Sequence, residues 1–119
     1  MQKDLIRNIK PFDNNYTVIT TNAIDCLHDS IEILETKEGM LSDDGYTFNN
    51  LVNLMGLRQE WQDNEIDEVC QRYECSFNKD DSEVICKDGN VIYFIQCLTA
   101  VEAHVLAKKL RWDILNGYN

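Results

Sequence analysis

What the chain lacks narrows it first. No G-x-x-x-x-G-K-[ST] or G-x-G-x-x-G occurs, so no loop is built to cradle a phosphate. There is no G-x-S-x-G, and the two histidines, His28 and His104, stand far apart, so no nucleophile is paired with a base. None of the five cysteines (Cys26, Cys70, Cys75, Cys86, Cys97) forms a C-x-x-C, and the odd count leaves one unpaired under any full pairing. Reduced thiols packed as small hydrophobes are the simpler reading; the local candidates for zinc are only Cys26 with His28 and Cys70 with Cys75. The acid-rich loops do not follow the EF-hand order of ligands and glycine, so neither a metal nor a cofactor is expected. MQKDLIRNIK lacks the apolar stretch of a signal peptide and no later run approaches transmembrane length, which points away from membranes and to the cytoplasm, the host's if the chain is phage-encoded.

Positive charge is the other shortage. Residues 25 to 88 hold 17 acidic and 5 basic groups, a net of −12, while the remainder holds 4 and 6, a net of +2. Such a field repels nucleic acid and attracts cationic surfaces, including the phosphate-binding channels of enzymes that act on nucleic acid. Acidity that only keeps the protein soluble is the plainer alternative.

At 119 residues and 44% hydrophobic composition, the chain can bury one core without a staple, and it has no repeats or linker-like tracts. One domain, 1–119, is the expectation. Residues 2–10 place Leu5, Ile6 and Ile9 on one side of a short helix ended by Pro11, and YTVITT (16–21) reads as a strand. Ile24, Leu27, Ile31 and Leu34 fall at offsets of three, four and three, which predicts a helix over 23–37 with Asp25, Asp29 and Glu32 lined up on another face. GMLSDDG reads as loop. A helix capped by Thr47 and stopped by Gly56 follows, then one from Asp63 with Ile66, Val69, Cys70 and Tyr73 inward. CSFN (75–78) reads as a strand, and 83–96 as a hairpin turning at Asp88-Gly89, its second strand VIYFI apolar on both faces. The last helix runs from about Thr99 to Asn116. The fold class is thus α+β: a small, mostly antiparallel sheet of three to four strands packed with four to five helices.

The helix pair 47–74 has the outline of a DNA reader, but Asp63, Asp67 and Glu68 crowd it where a reader places arginine and lysine. Direct nucleic-acid binding is therefore not expected. These acids, with Asp25, Asp29 and Glu32, are candidate contacts to a protein with a basic surface, and Trp61 in the turn is the candidate anchor, or else a cap over the helix pair. The last helix carries two apolar stripes, one of Ala103, Leu106, Ala107, Leu110 and Ile114 and one of Leu98, Val101, Val105 and Trp112. A helix apolar on two sides is either buried between layers or paired with another chain, and the sequence reading assigns Val101, Val105 and Trp112 to a homodimer interface. The composition points to a non-enzymatic inhibitor that occupies the nucleic-acid site of a nuclease or another defence or toxin enzyme. Phage-encoded blockers such as anti-CRISPR proteins, and immunity proteins against nuclease toxins, share this broad profile. The alternative is a homodimeric regulatory module whose acidity is incidental.

Overall fold

The computed structural model describes residues 5–117. Its framework is one six-stranded sheet in the order β1-β2-β3-β4-β6-β5, with every neighbouring pair antiparallel. The strands are β1 (Ile6–Pro11), β2 (Tyr16–Ile24), β3 (Ser30–Thr36), β4 (Leu41–Ser42), β5 (Ser76–Asn78) and β6 (Glu83–Cys86). The helices are α1 (Tyr46–Phe48), which runs on into a π-helical segment at Asn49–Leu54, α2 (Asp63–Gln71) and α3 (Val91–Leu115). The α+β class stands, but the expected three to four strands with four to five helices is corrected to six strands and three helices among the described residues.

Four segments account for the correction. Of the helix expected at 2–10, residues 1–4 lie outside the described part and Ile6–Pro11 is strand β1, paired to β2 with Ile9 opposite Ile19 and Lys10 opposite Val18. The helix expected at 23–37 is a turn followed by β3. Asp25 breaks it: its Oδ1 accepts the N–H groups of Leu27 (2.9 Å) and Asp29 (3.0 Å), and His28 is held at φ +68°. Beyond the turn the burial alternates, with Ile31 and Ile33 inward and Glu32 outward, a strand period that overrides the helical one. Leu41–Ser42, expected in a loop, is the short strand that joins β3 to β6 in the middle of the sheet.

The fourth segment is 91–95. Asp88 and Gly89 do turn, but the chain does not come back as a strand. A Cβ at Gly89 would lie 2.6 Å from the Gly39 carbonyl, which presses the turn against the neighbouring loop. Asn90 Oδ1 then accepts the Tyr93 N–H at 3.0 Å and caps α3. Phe94, Leu98, Val101 and Val105 form one buried stripe from the first turn onward, so the residues read as a two-faced strand are the first turns of the last helix. At 25 residues, α3 is long and apolar enough, by length and composition alone, to cross a membrane, contrary to the expectation that no run approached that length. Within this fold its apolar residues divide between the core and an exposed side.

The helix pair and CSFN fall close to expectation, except that the first helix begins at Tyr46 with Gly45, and not Thr47, at its N-cap. Gly56 closes the first helix at φ +72°, and Ile66, Val69 and Cys70 turn inward from α2. Ile19, Ile33, Leu41 and Val84 from the sheet meet Leu51, Ile66, Phe94 and Val101 from the helices in one core cluster.

Candidate functional site: an acidic cavity

The turn that replaces the expected helix is one wall of a cavity of about 450 Å³. The 25–32 segment, the first helix (46–54) and the buried side of α3 enclose it. Asp25, Asp29 and Glu32, which the sequence grouped on a helix face, all line it, although they reach it from a turn and a strand. Asp43 and Glu102 add two more carboxylates, while Leu27, Ile31, Leu54 and Leu98 supply apolar wall. Among the described residues that line it there is no lysine, arginine or histidine.

The five acids do different work. Asp25 is committed to the turn, and its Oδ2 also accepts from Asn50 Nδ2 at 3.4 Å. Asp29 is exposed, and Glu32 is exposed with one bond from Thr20 Oγ1 at 3.2 Å, so these two can meet a ligand without loss of structure. Asp43 is 2% exposed: Oδ1 accepts the N–H groups of Gly45 and Val84, each at 2.9 Å, and Oδ2 that of Thr47 at 3.1 Å. Burial pushes its carboxyl above the usual range, and the three amides together with the Thr47 side chain oppose the shift. It ties β6 to the start of α1. Glu102 Oε2 accepts the Cys26 N–H at 3.0 Å; burial raises its carboxyl, and Asp25 adds like charge. Burial, with the adjoining Glu102, pushes the Cys26 thiol up to about 12, so it stays protonated at neutral pH and is no nucleophile.

The remaining sites expected from sequence do not join the cavity. Asp63 accepts from Trp61 Nε1 at 3.1 Å, and Asp67 Oδ1 accepts the Phe77 N–H at 2.9 Å, which braces α2 against β5; Glu68 is exposed. Trp61 is 5% exposed and makes edge contacts with Phe48 (5.2 Å between centroids) and Phe77 (5.3 Å). It is the cap over the helix pair, and its burial corrects the reading of it as an anchor for a partner. Val101 and Val105 are fully buried in this chain's own core, so they offer no free surface for a second copy; Trp112 is exposed, with Lys109 Nζ 5.1 Å above its ring. His104 and Lys108 meet Glu65 Oε1 at 3.0 and 2.9 Å, and the Lys108 bond holds that carboxyl below its usual range.

Sequence reasoning missed Asp43 and Glu102. The D-x-G of Asp43-Asp44-Gly45 is a signal for a side chain that folds back on its own turn. Glu102 left a weaker trace, as a lone acid beside the stripe that proves to be core. All five cysteines are free, four of them buried, and among the described residues no group of three or more candidate ligands is arranged to hold a metal ion. Hydrogen bonding from Cys97 lowers the Cys75 thiol, and contact with Cys70 and Cys75 raises that of Cys97. No family model matches the chain, and neither a curated protein nor a solved structure resembles it.

Proposed function

We propose that this protein is a non-enzymatic binder of a basic protein surface, an inhibitor that takes the place of nucleic acid on a nuclease or another defence or toxin enzyme. The observation that carries this reading is the convergence of Asp25, Asp29, Glu32 and Glu102 on one cavity with no basic residue among the described residues that line it. A lysine or arginine from the partner would set its charged head against Asp29 and Glu32 and lay its aliphatic stem along Leu27, Ile31 and Leu54. The acids of α2 add to the attracting field rather than to the cavity. Placement in the cytoplasm accords with such a role. A homodimeric module with incidental acidity is the competing reading.

The test compares the whole chain with Asp29→Lys/Glu32→Lys, a pair of substitutions at exposed positions. Immobilised wild type should retain a nucleic-acid-binding protein from a native lysate, release it to added duplex DNA or to salt, and lose it in the variant. Equal retention by both, unaffected by DNA, would overturn the reading.

A further inference from the structure

We propose that the acidic cavity selects arginine over lysine, with the Tyr46 ring at its mouth as the plate on which the guanidinium stacks. This names the side chain that the basic-surface reading leaves open, and it rests on that reading.

Tyr46 is the first residue of α1 and lines the cavity together with Asp43 and Thr47. Those two are 2% and 6% exposed, whereas Tyr46 is 57% exposed. The backbone explains the difference. Gly45, at φ +77°, turns the chain into the helix, and the Tyr46 N–H donates to the Asp43 carbonyl at 3.1 Å, while the Asp43 carboxylate takes the Gly45 and Thr47 amides. None of the bonds that close the turn uses the tyrosine ring. Among the described residues no ring or cation stacks on it either. Phe48, two residues on, meets Trp61 at 5.2 Å between centroids and has the Arg58 guanidinium 5.8 Å from its own. One aromatic of this helix is already covered; the other is open at the cavity.

A carboxylate attracts either basic side chain, and an aromatic face beside it tells them apart. The guanidinium is planar and weakly hydrated, and it presents five N–H donors in a fixed fork, so it can lie flat on a ring while its edge meets carboxylate oxygens. An ammonium is a compact, strongly hydrated charge that keeps its water in preference to a partly apolar wall. Leu27, Ile31 and Leu54 make that wall here. The acids divide by depth. Asp29 and Glu32 are exposed, while Glu102 is 8% exposed and burial works against charge on it. The fork therefore meets Asp29 and Glu32 at the mouth, where the exposed ring of Tyr46 also stands. A cation over an aromatic face at an exposed site strengthens binding about twofold to fivefold, and the bidentate fork adds to this.

Two capped peptides, acetyl-Gly-Arg-Gly-amide and acetyl-Gly-Lys-Gly-amide, titrated separately into isotopically labelled full chain, test the choice through amide shifts in the cavity walls at 25–32 and 46–54. Wild type should bind the arginine peptide at least about fivefold more tightly than the lysine peptide. Tyr46→Leu, at an exposed position, should keep the circular dichroism of the wild type and bring the ratio below about twofold by weakening the arginine peptide alone. Tyr46→Phe, which keeps the ring, should keep the preference. Equal affinities in the wild type, a tighter lysine peptide, or a Tyr46→Leu variant with the preference intact would each overturn the assignment of arginine and leave the basic-surface reading standing. Shifts at the cavity with neither peptide would overturn both.

Discussion

Replacing Asp43 by alanine removes one acceptor group from three backbone amides at once. The Gly45, Val84 and Thr47 N–H groups lie at 2.9, 2.9 and 3.1 Å from it, and the site is 2% exposed. A hydrogen bond to a charged group contributes about 1.5–3 kcal/mol, and a buried donor left without a partner costs about 1–3 kcal/mol. The burial that raises the Asp43 carboxyl offsets part of this, so the net loss should fall near the low end of three bonds, about 3–5 kcal/mol. A chain of this length is stable by roughly 6–18 kcal/mol, which makes the loss a large fraction of the total. Asp43→Asn separates geometry from charge. Its carbonyl oxygen can keep the Gly45 and Val84 bonds, while its amide faces the Thr47 N–H donor to donor, for a cost of about 1–3 kcal/mol. Urea unfolding followed by the fluorescence of buried Trp61 measures both. With a slope of about 2 kcal/mol per molar, the alanine variant should lose about 2 M in midpoint and the asparagine variant about half that. An alanine variant within about 1 kcal/mol of wild type would refute the account of Asp43 as the tie between β6 and α1.

Val105→Asp should unfold the chain rather than separate two copies, since Val105 is fully buried and an unpaired charge there costs several kcal/mol; a folded monomeric variant seen by circular dichroism and light scattering would contradict this. Glu102 gives a pH signature. Its folded carboxyl is raised, so its contribution to stability is fully present below the unfolded value of 4.5 and is lost as pH rises through the folded value. Wild type should therefore gain stability as pH falls from neutral toward that value, and Glu102→Gln, which keeps an acceptor for the Cys26 N–H, should flatten the gain in urea midpoints taken across that range. Glu65 has the opposite sign: its lowered carboxyl favours the fold above its unfolded value and ceases to do so as pH falls through the folded one.

The sequence was legible wherever local period and tertiary burial agreed. Ile66, Val69 and Cys70 have the helical spacing of α2, and Gly56 and Asn78 mark ends that the fold respects. It misled where two periods fitted one segment. Ile24, Leu27, Ile31 and Leu34 satisfy a helix on paper, but Asp25 takes its own downstream amides and the β-branched residues beyond it find partners on β2. VIYFI is apolar in either period; Asn90, as cap, decides for the helix. The acids of the candidate site were nameable as residues but not as a site, because Asp43 and Glu102 come from segments far away in sequence. The two stripes of α3 were both visible, while the choice of which one the sheet covers rests on long-range packing that no local pattern encodes.

The central claim is that the cavity receives a cationic side chain, and an arginine nonapeptide titrated into isotopically labelled full chain tests it most directly by nuclear magnetic resonance. Amide shifts should concentrate in residues 25–32, 46–54 and 98–102, weaken as salt screens the charges over about 8 Å at physiological ionic strength, and vanish in Asp29→Lys/Glu32→Lys. Shifts of equal size spread over α2 and the rest of the acidic surface, unchanged in that variant, would show the acidity to be incidental.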